Sequence, residues 1–485
     1  TQYCAVTTSA RMTGRVGNPK DHAVVIGASI AGLCAARVLS DFYSTVTVFE
    51  RDELPEAPAN RATVPQDRHL HMLMARGAQE FDSLFPGLLH DMVAAGVPML
   101  ENRPDCIYLG AAGHVLGTGH TLRKEFTAYV PSRPHLEWQL RRRVLQLSNV
   151  QIVRRLVTEP QFERRQQRVV GVLLDSPGSG QDREREEFIA ADLVVDAAGR
   201  GTRLPVWLTQ WGYRRPAEDT VDIGISYASH QFRIPDGLIA EKVVVAGASH
   251  DQSLGLGMLC YEDGTWVLTT FGVADAKPPP TFDEMRALAD KLLPARFTAA
   301  LAQAQPIGCP AFHAFPASRW RRYDKLERFP RGIVPFGDAV ASFNPTFGQG
   351  MTMTSLQAGH LRRALKARNS AMKGDLAAEL NRATAKTTYP VWMMNAIGDI
   401  SFHHATAEPL PRWWRPAGSL FDQFLGAAET DPVLAEWFLR RFSLLDSLYM
   451  VPSVPIIGRA IAHNLRLWLK EQRERRQPVT TRRSP

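Results

Sequence analysis

Two glycine-rich turns and a pair of histidines hold the residues whose types and spacing could do chemistry. Gly27-Ala-Ser-Ile-Ala-Gly32 follows the apolar run His22-Ala-Val-Val-Ile26 and opens a stretch of helix formers from Leu33 to Leu39. A second β-type run, Thr45-Val-Thr-Val-Phe49, ends on Glu50, 23 residues after Gly27, with Arg51 next to it. Strand, tight turn and helix N-terminus aim backbone N–H groups at a pyrophosphate, and an acid about 20 residues on accepts from ribose hydroxyls. Ser29 takes the place of the middle glycine, so a phosphate would approach past Ala28 and a small side chain. A glycine loop alone is also compatible with an ordinary strand-to-helix turn; the strand context and Glu50 favour nucleotide binding.

The second junction is Ile333-Val-Pro-Phe-Gly-Asp-Ala339, an apolar strand ending in Gly337-Asp338 and followed by Asn344-Pro-Thr-Phe-Gly-Gln-Gly-Met351. A buried Asp at a strand end needs donors, and sugar-alcohol hydroxyls are suitable ones. The helix expected to start near Gly348 presents free N–H groups, a field that favours an anion by about 0.3–1 kcal/mol. Between the two junctions, Val130-Pro-Ser-Arg-Pro-His-Leu-Glu-Trp138 places Arg133 at a helix start with Pro134 in its first turn. Asp192-Leu-Val-Val-Asp-Ala-Ala-Gly-Arg-Gly201 is a further strand running into a glycine turn at Gly199.

Together these motifs resemble the FAD-dependent monooxygenase superfamily of the hydroxybenzoate hydroxylase fold. Val64-Pro-Gln-Asp-Arg-His-Leu-His-Met72, the Asp192 to Gly201 junction, Tyr323-Asp-Lys-Leu326 and Gly337-Asp-Ala-Val-Ala-Ser-Phe-Asn-Pro345 are similar to the olefin epoxidases of polyether biosynthesis and related polyketide-modifying flavoenzymes. The resemblance implies FAD held by Gly27, Ala28, Ser29, Gly32, Glu50 and Arg51 on its ADP half. It implies Arg133, Gly199, Gly337, Asp338, Pro345, Gly348, Gln349, Gly350 and Met351 for the remainder. The implied reaction transfers one oxygen atom from a flavin C4a-hydroperoxide to an apolar small molecule, by epoxidation or hydroxylation. His69 and His71 would then lie beside the flavin ring, although hydrogen-bonded structural histidines are an equally open reading. A metal site ranks below both, because no third ligand stands at a recognisable spacing.

Hydroxylases of this superfamily that take electrons directly from NAD(P)H end the corresponding strand in Ala-Asp-Gly. Here the order is Asp196-Ala-Ala-Gly199, which implies NAD(P)H as ultimate reductant acting through a separate flavin or ferredoxin reductase. The alternatives are an FAD-dependent reductase of prenyl double bonds and a non-catalytic redox-sensing flavoprotein. A halogenase ranks lower, since the W-x-W-x-I-P motif is absent.

The elements that must position these residues are of the α/β class: a Rossmann-type FAD-binding domain with an inserted antiparallel-sheet substrate domain and a C-terminal helical extension. The expected boundaries are 21–78, 130–205 and 325–370 for the FAD domain, 79–129 and 206–324 for the substrate domain, and 371–470 for the extension. Tails are expected at 1–20 and 471–485, and residues 1–11, which precede Met12, read as a tag or an upstream extension. Strand-type runs at 221–227, 242–246, 254–260 and 265–271, with Glu262-Asp-Gly-Thr265 as a hairpin turn, predict a sheet whose Met258, Trp266 and Phe271 floor a pocket or form its core. Near the end, Ile457, Ile461, Leu465 and Trp468 fall on one helix face, expected to dock on the body, or else to lie on an anionic membrane through 456–476. Residues 1–20 and 470–485 carry +3 and +4 of the formal +8, so the near-neutral body argues against a nucleic-acid groove. Five scattered cysteines with no paired motif point to a reducing, cytoplasmic setting.

Overall fold

The computed structural model describes residues 21–61, 64–101, 105–175, 186–369 and 375–476. The expected tail 1–20 and the end of the basic tail, 477–485, lie outside the described residues. The first apolar run forms the strand His22–Ile26 at the centre of a five-stranded parallel sheet, ordered Ile333–Pro335, Leu193–Asp196, His22–Ile26, Thr45–Glu50, Val150–Arg154. Parallel strands are covered on both faces, which is why His22–Ile26 and Leu193–Asp196 read as near-continuous apolar runs. One cover is the helix Ile30–Leu39, in a single core cluster with Phe81, Leu84, Leu88, Met92, Leu136 and Leu361. The helices Ala75–Leu84 and Leu88–Ala94 therefore share this core, although the boundary read from sequence put 79–129 with the substrate domain. Their apolar stripe, Ala78, Phe81, Leu84 and Leu88, has helical spacing and needs a partner helix rather than a sheet edge.

After Leu193–Asp196 the chain leaves the parallel sheet, builds a larger one, and returns at Ile333–Pro335 beside the strand it left. The nine-stranded sheet centres on Glu218–Arg233 and Gln305–Arg321, with Trp266–Val273, Leu254–Cys260 and Val243–Ala246 beyond. It is antiparallel except where Val243–Ala246 meets Ile107–Ala111. The strand-type runs all form strands; Gln305–Arg321 is a further one whose sequence pattern is broken by Pro306, Gly308, Pro310 and Pro316. On one face Phe232, Met258, Trp266 and Leu268 pack against Met285 and Phe297 of the helices Phe282–Leu292 and Ala295–Leu301. The other face looks towards the glycine turns.

The C-terminal region contains the helices Leu376–Asp399, Trp414–Ala428, Pro432–Phe442 and Val454–Arg476, with Thr406–Glu408 added as a short strand beside Glu218–Arg233. The last helix docks one position away from the expected face. Ile456 and Ala460 pack inward, Asn464 Nδ2 donates to Gln423 O at 3.0 Å, and Arg459 pairs with Asp431 at 2.7 Å. Ile457, Ile461, Leu465 and Trp468 stay 44% to 64% exposed. Small Ala460 lets the backbone come close, and the ion pair fixes the rotation. Among the described residues no helix is long and apolar enough to cross a membrane.

The glycine turn and the Asp196 junction lock together at one atom-scale contact. Gly27 has φ +100°, and a Cβ there would stand 2.8 Å from the carbonyl oxygen of Ala197. Gly27→Ala is expected to destabilise the protein by about 1–3 kcal/mol. An unshifted urea-unfolding midpoint would contradict this packing.

Candidate cofactor and substrate site

Beneath the first glycine turn lies a network of buried charges. Arg61 donates to Glu137 Oε1 at 2.9 Å and pairs with Glu50 at 3.1 Å and Asp52 at 3.0 Å. Arg133 Nε donates to Asp67 Oδ1 at 3.1 Å, and its Nη2 to Ser29 Oγ at 2.8 Å. Ser29 Oγ in turn donates to Glu137 Oε2 at 3.1 Å. Burial opposes the charge on Arg61, but Glu137 and Glu50 outweigh it and raise its pKa. Glu50 also accepts from the backbone N–H of Ala28 at 2.9 Å, tying the end of the second strand to the turn. Arg61, Asp67 and Glu137 were not singled out in the sequence; the spacing of Arg133 and Glu137 on one helix was the available signal.

A cavity of about 2030 Å³ spans the space between the turns and the large sheet. That is roughly twice the top of the ~300–1,000 Å³ range of single-ligand pockets, room for a cofactor and a substrate together. Gly27, Ser29, Glu50, Arg51, Arg133, Gly199, Asp338, Pro345, Gly348, Gln349, Gly350 and Met351 all line it. Ala28 and Gly32 do not; Ala28 is fully buried and Gly32 backs onto the Gly27 carbonyl oxygen. Gly337 stands behind the wall with φ +64°, where a Cβ would come 2.7 Å from that of Ala31, so the second junction is pressed against the first helix. The Gln349 side chain is turned away, accepting from Asn395 Nδ2 at 2.8 Å and donating to Phe442 O at 3.0 Å, which leaves its backbone to face the cavity. The helix after this loop is Gly350–Asn369, two residues later than expected, because Gly348 sits at φ +67°. Burial raises the Asp338 pKa, opposed by Arg133, Arg200 and Arg321.

Asp196 does not supply the missing carboxylate. It is fully buried, accepts from Ala198 N at 3.1 Å and from the Thr202 hydroxyl, and shapes the turn that carries Gly199.

At the sheet end, side-chain alternation decides what faces the cavity. Ile223, Ile225, Tyr227, Thr269, Phe271, His313 and Phe315 line it, whereas Met258 and Trp266 belong to the opposite face and its helix-packed core. Of the three floor candidates, only Phe271 faces the cavity. His69 and His71 both line it. His69 Nδ1 is 2.6 Å from Ser229 Oγ, and its ring lies 5.8 Å from Tyr227 and 5.7 Å from His313. His71 Nδ1 contacts His69 O at 2.9 Å, and the His71 backbone N–H donates to the Tyr261 hydroxyl at 3.0 Å. Burial, then His313, lowers the His69 pKa to about 4; burial, then Arg133, lowers that of His71 to about 3. Both are neutral imidazoles near pH 7 and weak bases. Among the described residues no three His, Cys, Asp or Glu side chains converge as metal ligands.

Similar architecture recurs in solved flavoproteins. The flavin-dependent brominase Bmp2 aligns with TM-score 0.60 at 16% identity, over 93% of this chain and 100% of that one. A flavoprotein/dehydrogenase from Cytophaga hutchinsonii gives 0.61 at 13% identity, over 92% and 99%. The p-nitrophenol 4-monooxygenase PnpA of Pseudomonas putida gives 0.60 at 16% identity, over 88% and 98%. The chain shares the fold of these flavoproteins. Residues 408–474, essentially the last three helices, match the family described as Mycobacterium Rv3254 C-terminal domain.

Removing Arg61 would strand Glu50 without its buried cation. Arg61→Met is expected to cost about 3–5 kcal/mol of unfolding free energy. A loss below about 1 kcal/mol in urea unfolding would show that the network is not holding the turn.

Proposed function

We propose that the protein is an FAD-dependent monooxygenase acting on an apolar substrate, by hydroxylation or epoxidation. The observation that carries this reading is the single cavity whose one end is built of glycine turns, a helix N-terminus, Glu50, Arg133 and Asp338, and whose other end is the apolar sheet face. The residues fit the cofactor. Ile30 and Ala31 offer the helix N-terminus to a pyrophosphate, and the Ser29 side chain makes no capping bond that would compete for its N–H groups. Glu50 retains acceptor capacity towards ribose hydroxyls, and Asp338, in the cavity wall, would accept from the hydroxyls of a ribityl chain. Bound FAD, once reduced, supplies the activation of dioxygen. The chain orients it, and Ile223, Ile225, Phe271 and Phe315 keep water from the reacting end. Arg133→Ala and Asp338→Ala are each expected to lose flavin; full occupancy in both, read by the flavin absorbance of purified protein, would overturn the cofactor assignment.

The reductant side follows from the Asp196 turn. With Ala197, Ala198 and Gly199 facing the cavity and no carboxylate among them, we infer electrons from NAD(P)H delivered through a separate flavin or ferredoxin reductase. Slow reduction by NADPH alone and fast turnover with an added reductase are expected; rapid unaided reduction would contradict this. Reduction of prenyl double bonds shares the cofactor architecture but needs no oxygen. Stopped-flow mixing of the reduced protein with oxygen separates the two. A transient absorbing species between reduced and oxidised flavin supports oxygenation, and direct single-step reoxidation counts against it.

The exposed face of the last helix bears on substrate supply. Ile457 and Ile461 stand at the cavity rim with Trp413, Leu420 and Val451, all at least 44% exposed, and Arg466, Lys470 and Arg473 follow on the same helix. We propose that this face meets an anionic lipid surface and admits apolar substrate from it. Ile461→Asp is expected to abolish sedimentation with phosphatidylglycerol vesicles; equal pelleting of both proteins would remove the idea.

A further inference from the structure

Asp399 is a carboxylate that the cofactor half of the site does not use. It ends the helix Leu376–Asp399, is 2% exposed, and sits in the cavity wall beside the second glycine junction. Asn344 Nδ2 donates to its Oδ1 at 2.8 Å, while the Asn344 Oδ1 is held by Thr346 N at 3.0 Å, so the amide orientation is fixed. Asp399 Oδ2 has no hydrogen-bond partner among the described residues. The same is true of the hydroxyl of Tyr227, 6% exposed in the same wall. Leaving a buried polar group unpaired costs about 1–3 kcal/mol, so these two atoms, with His69 Nε2 also without a partner in the same wall, mark a place built for a polar group from elsewhere.

We propose that Asp399 and Tyr227 together recognise a hydroxyl on an otherwise apolar substrate. The substrate O–H donates to Asp399 Oδ2, and its oxygen accepts from the Tyr227 hydroxyl. This arrangement needs a group that is donor and acceptor at once, which an alcohol, phenol or enol provides and an ether or ketone does not. It rests on the reading of the sheet end as the substrate site.

The electrostatics are consistent with that geometry. Burial, and then the nearby Asp399, push the Tyr227 pKa up, so the phenol remains a donor at all working pH values. Burial raises Asp399 to about 7, with the Asn344 bond acting the other way. Titratable and charged side chains reach the same cavity from the surrounding elements: Arg200, His69, His250, His313, His403 and Arg415. Arg415 donates to Ile400 O at 3.1 Å, and Arg200 lies over the Phe315 ring at 4.4 Å, so neither is shown bound to the carboxylate. A raised carboxylate pKa means that ionisation opposes folding. The contribution of Asp399 to stability is complete below its ordinary value and is lost as pH rises through about 7.

The test uses the FAD-loaded protein with 4-hexylphenol and its methyl ether as probes, following binding through perturbation of the flavin absorbance. The native protein is expected to prefer the phenol by about ten-fold or more, and Asp399→Asn and Tyr227→Phe each to remove most of that preference. The native preference should change between pH 6 and 8, roughly centred on the Asp399 value, and be flat in Asp399→Asn. Both replacements keep the shape of the native side chain, and retained flavin content confirms folding. Asp399→Asn should also melt higher than the native protein at pH 8, the gap closing towards pH 4. Equal native affinity for phenol and ether, or a preference unmoved in both variants, would overturn the proposal. Because binding is read without turnover, a preference that behaves as expected in a protein that oxygenates nothing would sink the monooxygenase reading and leave this one standing.

Discussion

The buried pairing of Arg61 with Glu50 and Glu137 is the constraint on which the rest of the site depends. Glu50 closes the second strand of the parallel sheet, Ala28 lies in the turn after the first, and Glu137 sits on the helix that carries Arg133. One guanidinium therefore fixes three elements that are far apart in sequence. Its removal would expose the weakness of any such network, since each charge has given up water and keeps its low energy only through its partners. The arrangement also explains why Ser29 is tolerated where a glycine is expected. Its hydroxyl is not idle in the phosphate path, but bridges Arg133 and Glu137.

A second constraint divides the cavity. Gly27 is pressed against the Ala197 carbonyl and Gly337 against the Ala31 methyl of the first helix, leaving a concave end lined by glycine backbone and charge. The large sheet offers its apolar face to the same space, while its other face is closed by two helices. Polar side chains at this end hold set positions, His69 with Ser229 and Thr269 and, in the same wall, Tyr227, His313 and Asp399.

Much of the cofactor end was legible in the sequence because it is local. A strand, a turn and a helix read in order gave Gly27 and Glu50, and the second junction gave Asp338 and the Asn344 to Met351 loop. The partners of those residues were not legible, since Arg61 and Glu137 act only after folding brings them together. At the sheet end the strands were readable, but not which face met the cavity. Met258 and Trp266 are as apolar as Phe271, and period-two alternation separates them only once one cavity residue is known. Asp399 gave no signal, standing in a helical run with its meaning set by Asn344, 55 residues away. On the last helix the hydrophobic spacing was right and the docking face was offset by one residue, because Arg459 and Asn464 chose the rotation.

The central claim is that one cavity brings reduced flavin and an apolar, hydroxyl-bearing substrate together for oxygen transfer. The most direct measurement is turnover of the FAD-loaded protein under isotopically heavy dioxygen, with an external reductase and a panel of alkylphenols, analysed by mass spectrometry. The account predicts a product carrying one heavy oxygen atom. Unlabelled or unchanged substrate, with all consumed oxygen recovered as hydrogen peroxide across the panel, would contradict it.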